Sequence, residues 1–163
     1  MRLEVGAGKK PTAGYTHLDI CTGNDIELVC ASWKIPIEDN SVEEVYARHF
    51  FEHLSPDEAG KTLIEWKRIL KDGGLVHIII PDITYHAEQL LLGGKSEFVD
   101  ASNFDHAMAG FYGWSTKDDN MRHKYGYTKC TIKQLFLGHG FDNVQFKECR
   151  RCDIDLVAYK AGI

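Results

Sequence analysis

The sequence predicts an α/β domain in which helices cover a mostly parallel central sheet, and the sheet ends in an antiparallel strand pair. Strand-like apolar runs alternate with helical patterns along the chain, which is typical of a parallel sheet. The run 75–80 is almost continuously apolar, as expected of a central strand that is buried on both faces. Two further runs, 144–149 and 153–159, follow each other without a helix between them. These last two runs favour the antiparallel pair.

The strongest helix signal begins at Ser55. This N-cap serine, a proline at the first helical position and Glu58 three residues after the cap form a capping box. Apolar side chains follow at helical spacing, among them Trp66, which we expect in the core, and the Gly73-Gly74 pair ends the pattern. The other predicted strands cover residues 3–5, 16–20, 26–30 and 43–48, and the other predicted helices cover 85–92 and 131–138, the last with Thr131 and Gln134 as a capping box.

Composition indicates one domain over residues 1–163. The chain has 163 residues, of which 44% are hydrophobic, and this suits a single substantial core. A formal net charge of -5 and a pI near 5.9 argue against a general nucleic-acid binder, so we expect a small-molecule partner and no nucleic acid. No apolar run reaches the about 20 residues of a membrane span, and no signal-peptide pattern precedes the first strand. The expected location is cytoplasmic.

Five cysteines are scattered through the chain, and this odd number does not suggest a disulfide framework. Cys149 and Cys152 form a lone C-x-x-C, a spacing found in redox sites and in halves of zinc sites. No second ligand pair accompanies it, and it lies between the two C-terminal strands, so the favoured interpretation is a hairpin turn. No metal site is predicted.

Residues 95–127 show no clear periodicity but are rich in aromatic residues and histidines. That density is too high for a solvated linker. Long irregular segments in compact domains tend to be lids or binding loops, and the alternative is an ordered excursion whose rings extend the core. Both interpretations stay open, and the segment is a candidate lid or substrate segment.

A short apolar strand near the N-terminus runs into the turn Gly6-Ala7-Gly8. Glycines allow a sharp bend and a close approach of ligand atoms to the backbone, and Asp19 after the next strand is placed to accept ribose hydroxyl protons. Ten residues separate Gly8 from Asp19, against about 20 in a dinucleotide fingerprint, and Pro11 stands where the third glycine would be. These features count against a nicotinamide oxidoreductase.

Six segments share a pattern in the same order along the chain: Glu4-Val5-Gly6-Ala7-Gly8, Leu18-Asp19-Ile20, Ile35-Pro36-Ile37-Glu38-Asp39-Asn40-Ser41-Val42, His49-Phe50-Phe51-Glu52-His53-Leu54, Arg68-Ile69-Leu70-Lys71-Asp72-Gly73-Gly74 and Gly140-Phe141. The pattern resembles that of class I S-adenosylmethionine-dependent methyltransferases, in particular the small methyltransferase-domain proteins. The resemblance covers nearly the whole chain. It implies a Rossmann-like class I methyltransferase sandwich, S-adenosylmethionine as cofactor and S-adenosylhomocysteine as product.

The resemblance assigns the methionine end of the cofactor to residues of the first and fourth strands and the turns that follow them. In the resembling family Glu4 helps to hold the amino group, and the amides of the Gly6-Ala7-Gly8 turn lie against this end. Arg48 and His49 complete it. Arg48 stands where the family often has a small residue, and it pairs either with the cofactor carboxylate or with a surface acid.

The resemblance assigns the ribose to Asp19 and Ile20. The family usually has an aspartate where this chain has Ala31. Ser32 or backbone amides are left to bind the adenine amino group, and Trp33 is left to cover the ring. The helix that commonly precedes the first strand has no counterpart in the sequence, so either the 95–127 segment or a second subunit closes the site. A homodimer is therefore one alternative.

Methyl transfer to a hydroxyl requires a base. His53 and His106 are the candidate catalytic residues because imidazole titrates near neutral pH, and Asp82 and His123 are further candidates. The family's Asn/Asp-Pro-Pro-Tyr and Pro-Cys motifs, which serve amino-group and cytosine methylation, are missing. A sugar, lipid or small-metabolite hydroxyl is the expected acceptor. The alternative is a non-catalytic or partner-dependent S-adenosylmethionine-binding protein of the same fold.

Overall fold

The computed structural model describes residues 1–114 and 119–162, and within them one seven-stranded sheet carries the fold. Its strands are β1 (Arg2–Val5), β2 (Thr16–Asp19), β3 (Leu28–Val29), β4 (Val42–Arg48), β5 (Leu70–Pro81), β6 (Phe141–Lys147) and β7 (Asp153–Lys160). They lie in the order β3-β2-β1-β4-β5-β7-β6. Strands β1 to β5 are parallel, and β7 is antiparallel to both β5 and β6. The predicted sheet is confirmed, with β7 lying between β5 and β6.

Four α-helices flank this sheet in the described residues: α1 (Pro56–Ile69), α2 (Ile83–Leu92), α3 (Asn103–Tyr112) and α4 (Lys129–Gly138). Short 3₁₀ turns cover Phe51–His53, directly after β4, and Asp119–Met121. None of the helices in this part of the chain has the length and apolar character needed to cross a membrane.

Helix α1 forms as its sequence predicts. The Ser55 side chain accepts a hydrogen bond from the Glu58 amide, and the Glu58 carboxylate accepts one from the Ser55 amide, so the capping box is complete. Trp66 is fully buried, and its ring lies 5.8 Å from that of Phe51. The helix therefore packs its apolar face onto the sheet and onto the turn that follows β4.

Several predicted boundaries are wrong, among them one end each of α1 and α4. Helix α1 ends at Ile69, before the Gly73-Gly74 pair, because Leu70 adopts an extended conformation and pairs with Val42 in the sheet. Helix α4 begins earlier than predicted. Its cap is Thr128, which exchanges hydrogen bonds with Thr131, so the capping box lies one helical turn before the predicted one.

The segment 95–127 is more regular than predicted, because it contains the whole of α3. Ser102 caps this helix by accepting a hydrogen bond from the Asp105 amide. The buried face of α3 includes the small residues Ala107, Ala109 and Gly110, which let the helix lie close to α2. Because these residues are not strongly apolar, the helical pattern is hard to see in the sequence. Both interpretations of the segment hold in part, since α3 extends the packed structure and the residues after it reach the cavity described below.

The C-x-x-C pair lies in the connection between β6 and β7, as the hairpin interpretation predicts. Cys149 is exposed and Cys152 is buried, and neither forms a disulfide. Burial raises the pKa of the Cys152 thiol to about 11, which keeps it protonated at neutral pH.

His86 is the main polar group in the contact between α2 and α3. It is 3% exposed, and a Cβ on Gly110 of α3 would lie 2.4 Å from its ring, so the glycine permits this close packing. Its Nδ1 has no hydrogen-bond partner within the described ranges. Burial, followed by the nearby His106 and His123, lowers the pKa of His86 to about 4. His86 is therefore neutral in the folded protein at neutral pH.

We expect the free energy of unfolding to fall as the pH is lowered from about 6.5 to about 4. An unfolded histidine titrates near pH 6.5, so in this window the unfolded chain binds a proton that folded His86 does not bind. In a His86→Gln variant the dependence on pH should be shallower by up to one proton. Urea unfolding at a series of pH values measures both slopes, and equal slopes would contradict a neutral His86.

Candidate active site

The carboxyl ends of β1, β2 and β4 surround a cavity of about 920 Å³. Parallel strands end at the same edge of a sheet, so the turns that follow them meet there. Of the predicted site residues, eight line this cavity: Gly6, Gly8, Asp19, Ile20, Ser32, Trp33, His49 and His53. Four do not line it: Glu4, Ala7, Arg48 and His106.

The glycine turn after β1 forms one wall of the cavity. Gly6 has φ +70°, and a Cβ at this position would lie 2.4 Å from the Phe50 ring. Gly8 has φ +60°, but a Cβ there would meet no atom closer than 4.0 Å. The amides of Gly6 and Ala7 both donate to the Leu18 carbonyl, at 2.8 and 3.2 Å. The predicted use of these amides as free donors is therefore not supported, and the turn instead offers a surface that a ligand approaches closely.

The Asp19 carboxylate stands at the end of β2. Its Oδ2 accepts a hydrogen bond from the Gly8 amide and its Oδ1 accepts one from the Cys21 amide, each at 2.9 Å. These bonds fix the orientation of the carboxylate on the cavity wall. Each oxygen keeps a lone pair for a second donor such as a ribose hydroxyl.

Glu4 has a different place from the one predicted. It is 3% exposed, and its two oxygens accept hydrogen bonds from the amide and the hydroxyl of Thr12, at 2.6 and 2.8 Å. These bonds hold the connection between β1 and β2, which contains no helix. Glu4 does not line the cavity, so its predicted contact with the methionine amino group stays a prediction.

Two other predicted members of the methionine end also lie outside the cavity lining. Arg48 is the exposed last residue of β4, and its side chain is not among the residues that line the cavity. Ala7 is buried in the glycine turn. His49, the next residue after Arg48, does line the cavity and has φ +49°. Of the predicted methionine end, Gly6, Gly8 and His49 line the cavity.

The residues predicted to bind adenine, Ser32 and Trp33, both line the cavity, but the Ser32 hydroxyl has a different role from the predicted one. The hydroxyl of Ser32 is buried and shares a hydrogen bond of 2.8 Å with the hydroxyl of Thr62 on α1, so it serves packing. Trp33 and Ile20 line the cavity and supply apolar surface, and Ile20 is 59% exposed. These two side chains can enclose a flat ring between them and the glycine turn.

Three side chains, which we call the Glu52 cluster, converge at the other end of the cavity: Glu52, His53 and His123. Their carboxylate oxygens and ring nitrogens offer ligand atoms that all lie within 4.8 Å of one another. Nearby, Nδ1 of His49 lies 3.4 Å from Oε1 of Glu52, and this contact raises the pKa of His49. Burial lowers the pKa of His123. The cluster thus combines one buried acid with two imidazoles, and a third imidazole, that of His49, lies next to the acid.

Hydrogen bonds fasten the segment after α3 to the turn after β4. The backbone carbonyl of Glu52 accepts from the amides of Lys124 and Tyr125, at 2.9 and 3.2 Å. Nδ1 of His53 lies 2.9 Å from the carbonyl oxygen of Arg122. A carbonyl accepts hydrogen bonds only, so Nδ1 carries a proton, and in the neutral ring Nε2 of His53 has the lone pair. The same contacts bring His123, which precedes Lys124 in this segment, beside Glu52.

The prediction that His106 is catalytic is not supported, because the structure does not bring it to the cavity. It is 7% exposed on α3, and its Nδ1 lies 2.8 Å from the hydroxyl of Ser96. Its ring stacks on Trp114 and meets His86 edge to face. This aromatic environment serves the packing of α2 against α3.

Sequence reasoning missed the part of the cavity wall that follows α3 and the loop that follows β2. The missed lining residues include Thr22, Asn24, Ile26, Asn120, Met121 and Lys124. The loop carried no distinctive motif. The second group lies in the 95–127 segment, and its only signal was the density of aromatic and histidine residues.

A family comparison bears on the chemistry of this site. Residues 3–78 match the family model described as a methyltransferase domain, a stretch that contains the glycine turn, Asp19 and Glu52-His53. The match covers a little under half of the chain, and it supports the class I S-adenosylmethionine-dependent methyltransferase that the sequence resembles. A comparison with curated protein sequences finds no match.

Solved methyltransferase structures share the fold of the whole chain. A SAM-dependent methyltransferase from Archaeoglobus fulgidus is 19% identical, with a TM-score of 0.64 over 98% of this chain and 85% of its own. A protein from Pyrococcus horikoshii OT3 is 14% identical, with a TM-score of 0.66 over 98% and 82%. A 1,6-didemethyltoxoflavin-N1-methyltransferase from Burkholderia thailandensis, with bound 1,6-didemethyltoxoflavin and S-adenosylhomocysteine, is 15% identical, with a TM-score of 0.64 over 98% and 70%. At these identities the similarity establishes the fold alone.

The methyltransferase cavity fits its cofactor, S-adenosylmethionine. Small-molecule sites usually measure about 300–1,000 Å³, a range that includes this cavity of about 920 Å³. Asp19 is oriented to accept ribose hydroxyl protons, and Trp33 and Ile20 offer apolar surface to the adenine. The glycine turn leaves room for close approach. The residues that are present therefore suit an adenosine ligand.

An Asp19→Asn substitution should weaken binding of S-adenosylhomocysteine by about 10- to 100-fold, because hydrogen bonds to a charged group contribute about 1.5–3 kcal/mol. Calorimetric titration measures the affinity, and NAD serves as the ligand that should not bind. Glu43→Gln, at the opposite end of β4, is the control that should keep the wild-type affinity. Equal affinity of Asp19→Asn and wild type would remove Asp19 from the cofactor site.

Gly6→Ala and Gly8→Ala form a matched pair. Both place a side chain at positive φ, which costs about 1–2 kcal/mol, but only Gly6→Ala also forces a Cβ into the Phe50 ring. The free energy of unfolding, measured in urea, should therefore fall further for Gly6→Ala, by about 1–3 kcal/mol more. If the two variants lose the same stability, the Phe50 contact does not define this wall.

Proposed function

We propose that this methyltransferase O-methylates a small hydroxylated acceptor and that His53 takes the hydroxyl proton. The observation that carries the proposal is the hydrogen bond from Nδ1 of His53 to the Arg122 carbonyl, which in the neutral ring makes Nε2 the acceptor on a residue that lines the cofactor cavity. An unprotonated imidazole nitrogen is the form that a general base requires. Of the two predicted catalytic histidines, only this one lies at the cavity.

Methyl transfer depends mainly on the alignment of the acceptor with the methyl group and does not require a general acid. The bound cofactor supplies an electrophilic methyl group on a positively charged sulfur. The protein holds the acceptor in line with this carbon, and a base removes the proton as the new oxygen–carbon bond forms. The turn after β4 is suited to this because it carries both His49 and His53 along the cavity wall.

The size and charge of the molecule support a small acceptor. The cavity is of metabolite size, and the formal net charge of -5 does not favour a polyanionic nucleic acid. The Burkholderia enzyme is named for the small molecule 1,6-didemethyltoxoflavin, which supports a small acceptor. That enzyme is named for methylation at N1, so it does not support methylation of oxygen. The proposal of a hydroxyl acceptor rests on His53 as a base and on the missing motifs for amino-group and cytosine methylation.

A screen of acceptors tests the proposal. Purified protein is first titrated with S-adenosylhomocysteine, and is then incubated with S-adenosylmethionine and paired small molecules that carry either a free hydroxyl or the same group blocked as a methyl ether. Turnover of the free hydroxyl alone supports O-methylation. Binding of S-adenosylhomocysteine without turnover of any hydroxylated acceptor would favour the non-catalytic alternative, and turnover of amines alone would move the chemistry to nitrogen.

A His53→Asn substitution should lower the rate of methyl transfer by about 10²- to 10⁴-fold, the usual contribution of a general base. Binding of S-adenosylhomocysteine should stay within a few-fold of wild type. His139→Asn is the matched control, because His139 also has Nδ1 next to a backbone carbonyl, at 2.7 Å, but does not line the cavity. Equal turnover by His53→Asn and wild type would show that His53 is not needed.

A further inference from the structure

We infer that the Glu52 cluster binds a divalent transition-metal ion beside the cofactor cavity. Within the described residues, Glu52, His53 and His123 are the one group of three acid, histidine or cysteine side chains whose ligand atoms converge, all within 4.8 Å. Ligands on a tetrahedral ion at about 2.1 Å lie about 3.4 Å apart, so shifts of about 1 Å close the group around an ion. The inference rests on the proposed function, because it places the ion where the acceptor hydroxyl is expected.

The two imidazoles are already held in the form that binds metal. Nδ1 of His53 donates to the carbonyl of Arg122 at 2.9 Å, and Nδ1 of His123 donates to the carbonyl of Gly110 at 2.8 Å. Each Nε2 therefore has a free lone pair. Histidines that ligate a metal nearly always donate their other ring N–H to a carbonyl or carboxylate in this way. Nε2 of His123 lies 3.9 Å from Oε1 of Glu52, so its lone pair is close to the acid.

The carboxylate of Glu52 supplies an independent indication. Its side chain is 2% exposed, and in residues 1–114 and 119–162 neither oxygen has a hydrogen-bond partner. A buried charge is costly unless it is paired or bound to a metal, and among the described residues Glu52 has only two contacts with histidine side chains. The contacts that the acid does have, to His49 at 3.4 Å and to His123 at 3.9 Å, are longer than hydrogen bonds. An ion between these groups would supply the missing interactions.

The backbone holds this acid in place without using its side chain. The main-chain carbonyl of Glu52 accepts from the amides of Lys124 and Tyr125, so the two segments that carry the cluster are joined through the backbone. The carboxylate remains available for a ligand. A site built in this way is preorganised, because its ligands stand on two segments that are already fastened together.

The ligand set indicates the class of ion. Two imidazoles and one carboxylate are typical of zinc and of other first-row divalent ions, whereas magnesium and calcium prefer oxygen ligands throughout. Three protein ligands leave a coordination position open, and one of the three, His53, lines the cavity. The inferred site is therefore of the open type that catalytic ions occupy.

An ion in this position changes how the acceptor is activated. A hydroxyl oxygen bound at the open position loses its proton more readily, as water bound to zinc does near pH 7. The proton passes to solvent at the cavity mouth, an oxygen–carbon bond forms, and the sulfur–carbon bond breaks with its electron pair left on sulfur. His53 then acts as a ligand and no longer as a base.

The test uses the full chain after treatment with a chelator. Cobalt(II) serves as the probe because its visible absorption reports its ligands. We expect one ion per chain, with visible bands that lack thiolate charge transfer, and displacement by zinc. Cys149→Ser, in the exposed part of the C-x-x-C pair, should leave this spectrum unchanged. No binding, or a spectrum dominated by thiolate ligands, would overturn the inference.

Two ligand variants locate the ion. Glu52→Gln and His123→Asn should each weaken cobalt binding by more than about 100-fold, because loss of a supporting partner alone usually costs 10- to 100-fold. His139→Asn, which removes an imidazole outside the cluster, should bind cobalt as wild type does. Circular dichroism checks that each variant is folded. If folded Glu52→Gln and His123→Asn keep the wild-type affinity, the ion lies elsewhere and the inference is wrong.

The metal site and the proposed function fail in different ways. Binding of S-adenosylhomocysteine to the chelator-treated protein tests the cofactor site without metal. O-methylation that is lost with chelator and restored by zinc supports the metal site and the O-methylation, and it changes the role of His53 from base to ligand. Full activity in the metal-free protein leaves His53 as a base and overturns the metal site. Cobalt binding at the cluster without O-methylation would remove the proposed reaction and keep the ion.

Discussion

The cofactor cavity depends on the buried carboxylate of Glu4. A parallel connection usually crosses the sheet through a helix, but the short connection between β1 and β2 contains none. In the absence of a helix, the connection is held by Glu4, whose carboxylate accepts hydrogen bonds from both the amide and the hydroxyl of Thr12. His17 adds to this clamp, because its two ring nitrogens face the carbonyls of Thr12 and Asp25, and these contacts raise its pKa. The glycine turn and Asp19 are in position because this short loop is fixed at both ends.

The cavity joins two regions with different physical characters. On the side of β1 and β2, the wall is made of backbone, a fixed carboxylate and apolar surface, which suits a nucleoside. On the side of β4, the turn after the strand carries histidines and the buried Glu52, and the segment after α3 covers it. The division follows from strand order, which places the turns after β1 and β4 side by side.

Much of the fold could be predicted from the sequence, because the apolar runs and the capping box of α1 are local signals. The positions of Asp19, the glycine turn and His53 at one edge also followed, since parallel strands end together. The roles of Glu4 and Ser32 could not be predicted, because each is decided by one partner, Thr12 or Thr62, that no local pattern identifies. His123 was named only as a minor candidate, since its place beside Glu52 depends on hydrogen bonds between segments about 70 residues apart.

The position of β7 inside the sheet has a consequence for synthesis of the chain. β6 is made before β7, yet it pairs only with β7 among the strands described, and the edge of β5 that faces β7 is also unpaired until then. The interior strand β7 is thus made after both of its neighbours, and this sheet reaches its full width only when β7 has been synthesised. Until then the edges of β5 and β6 are unpaired, and a chaperone or a second nascent chain could bind to them.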